Sequence, residues 1–376
     1  MDQMKRLAVL ADDQMTPRPS KTLAGVLRYR SDRVVTVVDR RNAGRDAGDV
    51  ADLGHGIPVV PDVTAALEHR PDAVLLAIEP AGGKLPLHWR DQVLTAVKAG
   101  VDVINGLHTQ LSDDEEIRNA AEQAGATLWD LRRQPTERYR AEFPEDGRPV
   151  LKVRRHRPGS RTALAVGTDC GIGKMTTMLE IEREAGARDL TPFFMATGQI
   201  GMMISGRGVA VDAIVSDFLN NIVEEDVCAA TRHHDLVLVE GQGALNHPRF
   251  SAVTLGLVHG SRPDSLILCH DLQRPSLKLM PECQLPPLNR AIEINEQAVR
   301  WLWPDSHCRV VGISVITTGV PDSQARAELA RLAAETGLPT TDVLRYGASP
   351  LLEAILAGPA AEEEPTAASP RPAPWP

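Results

Sequence analysis

Along the first third of the chain, the hydrophobic and polar positions alternate between two patterns. Short, continuous apolar runs alternate with stretches in which apolar residues recur at every third or fourth position. Runs of roughly four to eight apolar residues are typical of strands buried on both faces, and the second pattern is typical of amphipathic helices. The strands predicted in this way cover residues 7–11, 34–38, 74–78, 101–104 and 127–129. The helices predicted between them cover residues 21–29, 64–69, 91–99 and 113–123.

Strands that alternate with helices predict right-handed βαβ units, a parallel sheet with helices on both faces, and therefore a Rossmann-like domain. Ligands of such sheets bind at the carboxyl ends of the strands. Ser20-Lys21-Thr22 and residues 79–84 lie at such ends and are candidates for substrate contact, or else a helix cap and a turn. Asp39 lies where a dinucleotide-binding domain has its ribose-binding acid. The first loop nevertheless has no G-x-G-x-x-G, which argues against NAD.

A further apolar run, over residues 163–166, leads into a glycine-rich turn with a lysine and then into a predicted helix. Strand, glycine-rich loop and helix in this order are typical of a phosphate-binding P-loop. Glycines let successive backbone N–H groups point at one anion, and Lys174 adds a charge for terminal phosphates. The turn could alternatively be a simple connection in which the lysine is incidental. The residues assigned to the ligand are Gly167, Thr168, Asp169, Cys170, Gly171, Ile172, Gly173, Lys174, Met175, Thr176 and Thr177.

This P-loop departs from the usual G-x-x-x-x-G-K-[ST] pattern in two ways. It is one residue longer, because Thr168 lies where the first glycine would be. Met175 follows Lys174, so the hydroxyl that normally binds Mg²⁺ is missing there, and Thr176 or Thr177 would have to replace it. Phosphate binding tolerates this change better than the hydrolysis of Mg-ATP does.

Later predicted strands also end in polar residues. Glu240 follows the strand at residues 235–239, and because an acid at this place in P-loop proteins holds Mg²⁺ or orients a nucleophile, it is our leading acid/base candidate. His270 follows the strand at residues 265–269 and is a second candidate, or a structural histidine. Residues 198–208 are predicted to form a glycine-rich binding loop. The residues assigned to the substrate are Gln199, Ser205, Arg207, Gln242, Gly243 and Arg274.

Chain length and composition indicate how many domains this α/β protein has. The chain has 376 residues, 43% hydrophobic and 24% charged, which is typical of soluble proteins and long enough for two domains. We predict the Rossmann-like domain at residues 1–140 and a linker at residues 141–161. A P-loop NTPase-like domain with a mainly parallel sheet follows at residues 162–357, and a disordered tail rich in Ala, Glu and Pro at residues 358–376.

Net charge and cysteine content reduce the number of partners and sites that the chain is expected to have. Fifty acidic residues against 41 basic ones give a formal net charge of −9, which argues against partners such as nucleic acid or a membrane surface. The five cysteines show no C-x-x-C spacing, so we expect neither a zinc site nor a disulfide framework. No signal peptide and no apolar run of about 18 residues is visible. We expect a cytoplasmic homo-oligomer with a small-molecule substrate.

Four segments resemble one formerly uncharacterised P-loop family, which includes D-glutamate N-acetyltransferases. They are residues 166–177, with the displaced threonine after Gly-Lys-Met, residues 196–201 (ATGQIG), residues 239–243 (VEGQG) and residues 268–270 (LCH). The resemblance extends over residues 5–356. The Gly-Thr-Asp start of the P-loop and the Glu-Gly-x-Gly are also similar to dethiobiotin synthetase and cobyrinic acid amide synthases, which are ATP-dependent ligases.

The family resemblance implies acetyl transfer from acetyl-CoA to the amino group of a D-amino acid, chiefly D-glutamate. Under this hypothesis Glu240 or His270 accepts the proton of the ammonium group. Lys174 and the P-loop amides hold a phosphate of CoA or polarise the thioester, and Arg274 or Arg207 binds the acceptor carboxylate.

Two other functions remain open. An ATP-dependent ligase would activate a carboxylate as an acyl phosphate, with ATP on Lys174 and Mg²⁺ on Thr176 and Glu240; apart from this alternative, we assign no metal site. Met175 favours the transferase, whereas the likeness to the ligases favours the second function. A nucleotide-sensing regulatory protein is the third alternative, and it predicts nucleotide binding without turnover of an amino acid.

Overall fold

A parallel sheet in each half of the chain forms the scaffold of the molecule. The computed structural model describes residues 5–12, 14–133 and 153–358. In the first half, the strands are β1 Leu7–Leu10, β2 Val34–Val38, β3 Val59–Val60, β4 Ala73–Leu76, β5 Asp102–Asn105 and β6 Leu128–Asp130. The α-helices are α1 Lys21–Tyr29, α2 Ala47–Ala51, α3 Val63–Leu67, α4 Leu87–Lys98 and α5 Glu115–Ala124. The sheet order β3-β2-β1-β4-β5-β6 confirms the predicted Rossmann-like domain.

Both faces of this first sheet are buried, which explains why its strands are continuous apolar runs. On β1, Leu7 and Val9 pack in a cluster with α1, whereas Ala8 and Leu10 pack on the other face with α3 and α4. The sequence prediction missed β3 and α2, which are only two and five residues long. Two residues are too few to show a hydrophobic period, and Gly48 and Asp49 give α2 a low helix propensity.

The second half contains a second six-stranded parallel sheet and a small antiparallel hairpin. Its strands are β7 Arg161–Gly167, β8 Pro192–Met195, β9 Leu236–Val239, β10 Ser265–Asp271, β11 Ser276–Leu277, β12 Met280–Gln284, β13 Arg309–Ile316 and β14 Thr340–Thr341. Its α-helices are α6 Lys174–Gly186, α7 Gln199–Ser205, α8 Ser216–Thr231, α9 Ser251–Ser261, α10 Leu288–Leu302, α11 Asp322–Thr336 and α12 Ser349–Ala357. The order β14-β13-β10-β7-β9-β8 places β7 and the loop that follows it at the middle of the sheet.

The prediction of a glycine-rich loop over residues 198–208 is wrong in part, because Gln199–Ser205 forms α7. Gly206, with a φ of +76°, ends this helix in the left-handed region that glycine adopts at low cost. Residues 141–152 of the predicted linker and residues 359–376 of the predicted tail lie outside the described residues. Among the described residues, no helix has the length and apolar character that a membrane span requires.

The two domains meet where α1 packs against α7. A Cβ on Gly25 of α1 would lie 3.1 Å from Ile204 Cδ1, so this glycine permits the close approach. The Tyr29 hydroxyl donates a hydrogen bond to Glu180 Oε1 at 2.9 Å, and Arg132 forms an ion pair with Asp212 across the same interface. As a result, loops that follow strands of both sheets line one cleft.

Candidate active site

The P-loop follows β7 and ends where α6 begins at Lys174. Gly171 and Gly173 have φ values of +63° and +89°, which other residues rarely adopt, so the glycines permit this turn. The Lys174 ammonium donates to the Asp169 carbonyl oxygen at 2.7 Å and is only 6% exposed. Burial lowers the pKa of Lys174, and the charge of the nearby Lys21 lowers it further. An anion beside this loop would stabilise both ammonium groups.

A pocket of about 550 Å³ lies over the loop, and we call it the donor pocket. Helix α1 contributes Ala24, Gly25 and Arg28 to it, and Phe250 and Val253 contribute apolar surface. Eleven of the residues predicted from sequence line this pocket: Lys21, Cys170, Gly171, Ile172, Gly173, Lys174, Met175, Thr176, Glu240, Gln242 and Gly243.

The remaining P-loop residues support the loop from behind. Thr168 lies with its hydroxyl 3.0 Å from His270 Nδ1, and the Thr177 hydroxyl donates to Ser314 Oγ at 2.8 Å. Gly167, Thr168, Asp169 and Thr177 are not among the lining residues of the donor pocket. Neither is His270, whose pKa burial lowers. The structure therefore does not bring His270, the second acid/base candidate, into the pocket.

Asp169 fixes the shape of the loop. Its Oδ1 accepts the Cys170 N–H at 2.6 Å, and its Oδ2 accepts the Arg274 guanidinium at 3.0 Å and the Lys278 N–H at 2.9 Å. Arg274 also donates to the Cys170 carbonyl at 2.7 Å. Arg274, a sequence-predicted ligand of the acceptor carboxylate, therefore has the P-loop itself as its partner.

Glu240 follows β9 and is 4% exposed. Its Oε2 accepts the N–H groups of Thr197 at 2.9 Å and Gly198 at 3.1 Å. Burial raises the pKa of the Glu240 carboxyl to about 7, although these hydrogen bonds and the Lys174 charge lower it. A Cβ on Gly201 would lie 2.4 Å from Oε2, so only glycine lets α7 approach this carboxyl. A carboxyl with a pKa near neutrality can both accept and return a proton.

A second pocket of about 470 Å³ lies between the domains, and we call it the interdomain cleft. The P-loop domain contributes Gln199 and Met203, and Lys21, Ile200, Glu240 and Gln242 line both this cleft and the donor pocket. The two cavities therefore meet beside Glu240. The Rossmann-like domain adds Thr22, Glu79, Gly82, Gly83, His108 and Arg132.

Three of the residues predicted to bind substrate line neither cavity: Arg274, which contacts the P-loop as described above, and Ser205 and Arg207. The Arg207 guanidinium stacks 4.0 Å from the centre of the Phe193 ring and pairs with Glu182 at 3.5 Å. The Ser205 hydroxyl donates to the Arg207 carbonyl at 2.8 Å, as a turn residue would. Sequence reasoning missed His108 and Arg132, although both follow predicted strands at their carboxyl ends.

Among the described residues, one group offers metal-ligand atoms close together: Asp169, Cys170 and His247 lie within 4.8 Å of one another. Their hydrogen bonds disfavour a cation. Asp169 is paired with Arg274, and His247 Nδ1 accepts the Arg249 N–H at 3.2 Å, so the neutral ring carries its hydrogen on Nε2. The sequence prediction assigned no metal to these residues.

Comparison with known proteins places the two domains in one family. Residues 150–352 match the P-loop domain, and residues 40–134 the Rossmann-like domain, of the domain of unknown function DUF1611. The chain belongs to the DUF1611 family. A crystal structure of a DUF1611 family protein from Anabaena variabilis is 35% identical in sequence, with a TM-score of 0.84 over 94% of this chain and 99% of that one.

Two curated relatives of this chain carry the name D-glutamate N-acetyltransferase. The one from Tritonibacter scottomollicae is 33% identical over 342 residues, which is 90% of this chain and 94% of the relative. The one from Pseudoalteromonas is 34% identical over 274 residues, 73% of this chain and 78% of the relative. The match to both includes most of each relative's length.

Proposed function

We propose that this protein is an N-acetyltransferase that moves the acetyl group of acetyl-CoA to the amino group of D-glutamate or a related D-amino acid. The names of the two curated relatives support this reaction class. The observation that carries the proposal is the position of Glu240, where a donor pocket and a second cleft meet. Transfer between two substrates needs a base at the point where their sites adjoin.

The residues of the donor pocket fit acetyl-CoA. Arg28 and Lys174 supply positive charge for CoA phosphates and for the thioester carbonyl, and Phe250, Val253 and Ile316 supply apolar contact. CoA supplies the acetyl group as a thioester, an activated form that needs no Mg²⁺, which agrees with the methionine after Lys174. The Lys174 side chain passes beside Gly241, the residue that follows Glu240. A Cβ on Gly241 would lie 2.9 Å from Lys174 Cδ. Base and cation are thus neighbours.

In the proposed reaction, Glu240 accepts a proton from the acceptor ammonium group. The freed amine forms a bond to the acetyl carbon and the carbon–sulfur bond breaks. The nitrogen gives up its second proton as the amide forms, and the leaving thiolate takes up that proton. Lys174 and the P-loop N–H groups stabilise the negative charge that develops on the carbonyl oxygen. The pKa of about 7 suits Glu240 to this proton transfer near neutral pH.

The test combines turnover with binding. Thiol release from acetyl-CoA is followed with D-glutamate, L-glutamate and no acceptor, and calorimetric titrations compare CoA, acetyl-CoA, ADP and ATP with Mg²⁺. We expect thiol release that depends on a D-amino acid and CoA binding that Lys174→Ala abolishes. ATP binding only with Mg²⁺, and none of CoA, would replace the proposal with the ATP-dependent ligase; nucleotide binding without turnover would indicate a regulatory protein.

A further inference from the structure

Hydrogen bonds made by the residues on either side of Lys21 fix its position in the lining of the interdomain cleft. The Ser20 hydroxyl donates to the Ala77 carbonyl at 3.1 Å, and the N–H and hydroxyl of Thr22 both donate to Glu79 Oε1 at 2.9 Å. The Lys21 side chain then lines both the cleft and the donor pocket. Of the three residues in this segment, Lys21 is the one that reaches the other domain.

In the described ranges, the charge of Lys21 has no carboxylate counterpart. A Cβ on Gly171 would lie 2.6 Å from Lys21 Nζ, so this ammonium rests against the P-loop, where Lys174 already contributes a positive charge. Within the described parts of the chain, no carboxylate pairs with Lys21. Two like charges near one loop repel each other, and an anion that binds beside them relieves this repulsion.

A second polar group lines the interdomain cleft on the Rossmann-like side. The Arg132 side chain is 8% exposed, and its Nε donates to the Gly106 carbonyl at 2.8 Å. Its Nη1 lies 3.4 Å from His108 Nε2 and also pairs with Asp212. Because a guanidinium only donates, His108 Nε2 accepts, and Nδ1 of the neutral ring is then a donor. Arginine and histidine together are a suitable partner for a carboxylate.

We propose that the interdomain cleft binds a dicarboxylic amino acid, with its α-carboxylate on Lys21 and its side-chain carboxylate on Arg132 and His108. The inference rests on the proposed function, because it uses the amine at Glu240 as its reference point. In an α-amino acid, the α-carboxylate and the amine are attached to one carbon. The cation for the α-carboxylate must therefore lie where the cavities meet, as Lys21 does. The side-chain carboxylate extends into the cleft.

The experiment separates the two carboxylates by pairing D-glutamate with D-glutamine, which has the same shape without the second charge. Lys21→Met should lower kcat/KM for both acceptors by a similar factor, roughly 10- to 100-fold for a lost charge-assisted hydrogen bond. Lys21→Arg should restore part of the lost kcat/KM. Arg132→Gln and His108→Gln should instead lower the preference for D-glutamate over D-glutamine. Lys98→Met, at the end of α4 and outside the cleft, is the matched control and should change neither value.

Each result decides a different question. If Arg132→Gln lowers the melting temperature, the more exposed His108→Gln still reports on the same subsite. An unchanged preference in both variants, or a Lys21→Met variant that loses CoA binding and keeps its KM for the acceptor, overturns the inference while the transferase stands. If the wild-type protein acetylates an apolar D-amino acid better than D-glutamate, the inference is also overturned and the transferase still stands. A wild-type protein that acetylates no amino acid refutes the proposed function itself.

Discussion

At the residue scale, Glu240 combines burial, backbone hydrogen bonds and a neighbouring charge in one carboxyl. Burial dominates, so the pKa rises to about 7 despite two N–H donors and Lys174. A base must be deprotonated before it can accept a proton from the acceptor. We therefore expect kcat/KM to rise with pH and to level off above an apparent pKa of about 7.

Glu240→Gln tests this assignment because the amide keeps the shape but accepts no proton from an ammonium group. We expect acetyl transfer to fall by roughly 100-fold or more, with CoA affinity within about threefold of wild type. Pre-steady-state thiol release and calorimetry measure the two quantities. A variant that keeps most of its turnover and the same pH profile would show that Glu240 is not the base.

The same carboxyl also affects stability, with the opposite pH dependence. Its folded pKa of about 7 exceeds the value of about 4.3 expected in the unfolded chain, so the folded state binds the proton more tightly. The resulting stabilisation is complete below about pH 4 and is lost as the pH rises to about 7. Melting temperatures should therefore fall less steeply between pH 5 and 8 in Glu240→Gln than in the wild type. Part of the slope remains, because burial also raises the pKa of Asp264 to about 7 and raises the pKa of Glu182.

At the element scale, glycines decide how closely the strands and helices of the P-loop domain approach. A Cβ on Gly241 would lie 1.7 Å from the Ala165 carbonyl oxygen, which is backbone and cannot rotate away. We expect Gly241→Ala to lower the free energy of unfolding by about 2 kcal/mol or more in urea denaturation. Gly186→Ala is the control, since a Cβ there has nothing within 4 Å and the change should be neutral or slightly stabilising.

Gly201→Ala sets two effects against each other in α7. Alanine favours a helix over glycine by about 1 kcal/mol. The new Cβ would, however, lie 2.4 Å from Glu240 Oε2, and the fully buried carboxyl has little room to move. We expect the steric effect to prevail, so that kcat decreases and the apparent pKa of the pH profile shifts. An unchanged profile would mean that Glu240 can move without cost to the reaction.

At the scale of the whole molecule, few polar contacts join the two domains within residues 5–12, 14–133 and 153–358, so the effect of removing one is measurable. Tyr29→Phe removes the hydrogen bond to Glu180, and we expect a loss of about 1 kcal/mol in stability together with weaker coupling of the two halves. In urea unfolding, the transitions monitored by fluorescence and by circular dichroism should coincide less closely in this variant than in the wild type. Tyr346→Phe, which removes a more exposed hydrogen bond to Asp322 within one domain, should cost less.

The sequence predicted the architecture because most of the buried strands are largely apolar runs, and it predicted the P-loop and Glu240 because they follow such runs directly. It did not show that His270 binds Thr168, or that Arg207 stacks on Phe193, since both contacts depend on tertiary packing. His108 and Arg132 were missed for the same reason: only the docking of α1 against α7 turns the ends of β5 and β6 into a wall of the cleft.

The division of the cavity between the domains has a consequence for how this family can diversify. In the proposed arrangement, the thioester chemistry belongs mainly to the P-loop half, whereas the choice of acceptor belongs to Lys21, His108 and Arg132 in the other half. Recombination between family members at a point after β6 and before β7 would then inherit reactivity from one parent and substrate preference from the other. New acceptors could arise in evolution through exchange of one gene segment, without any change to the residues that make and break bonds.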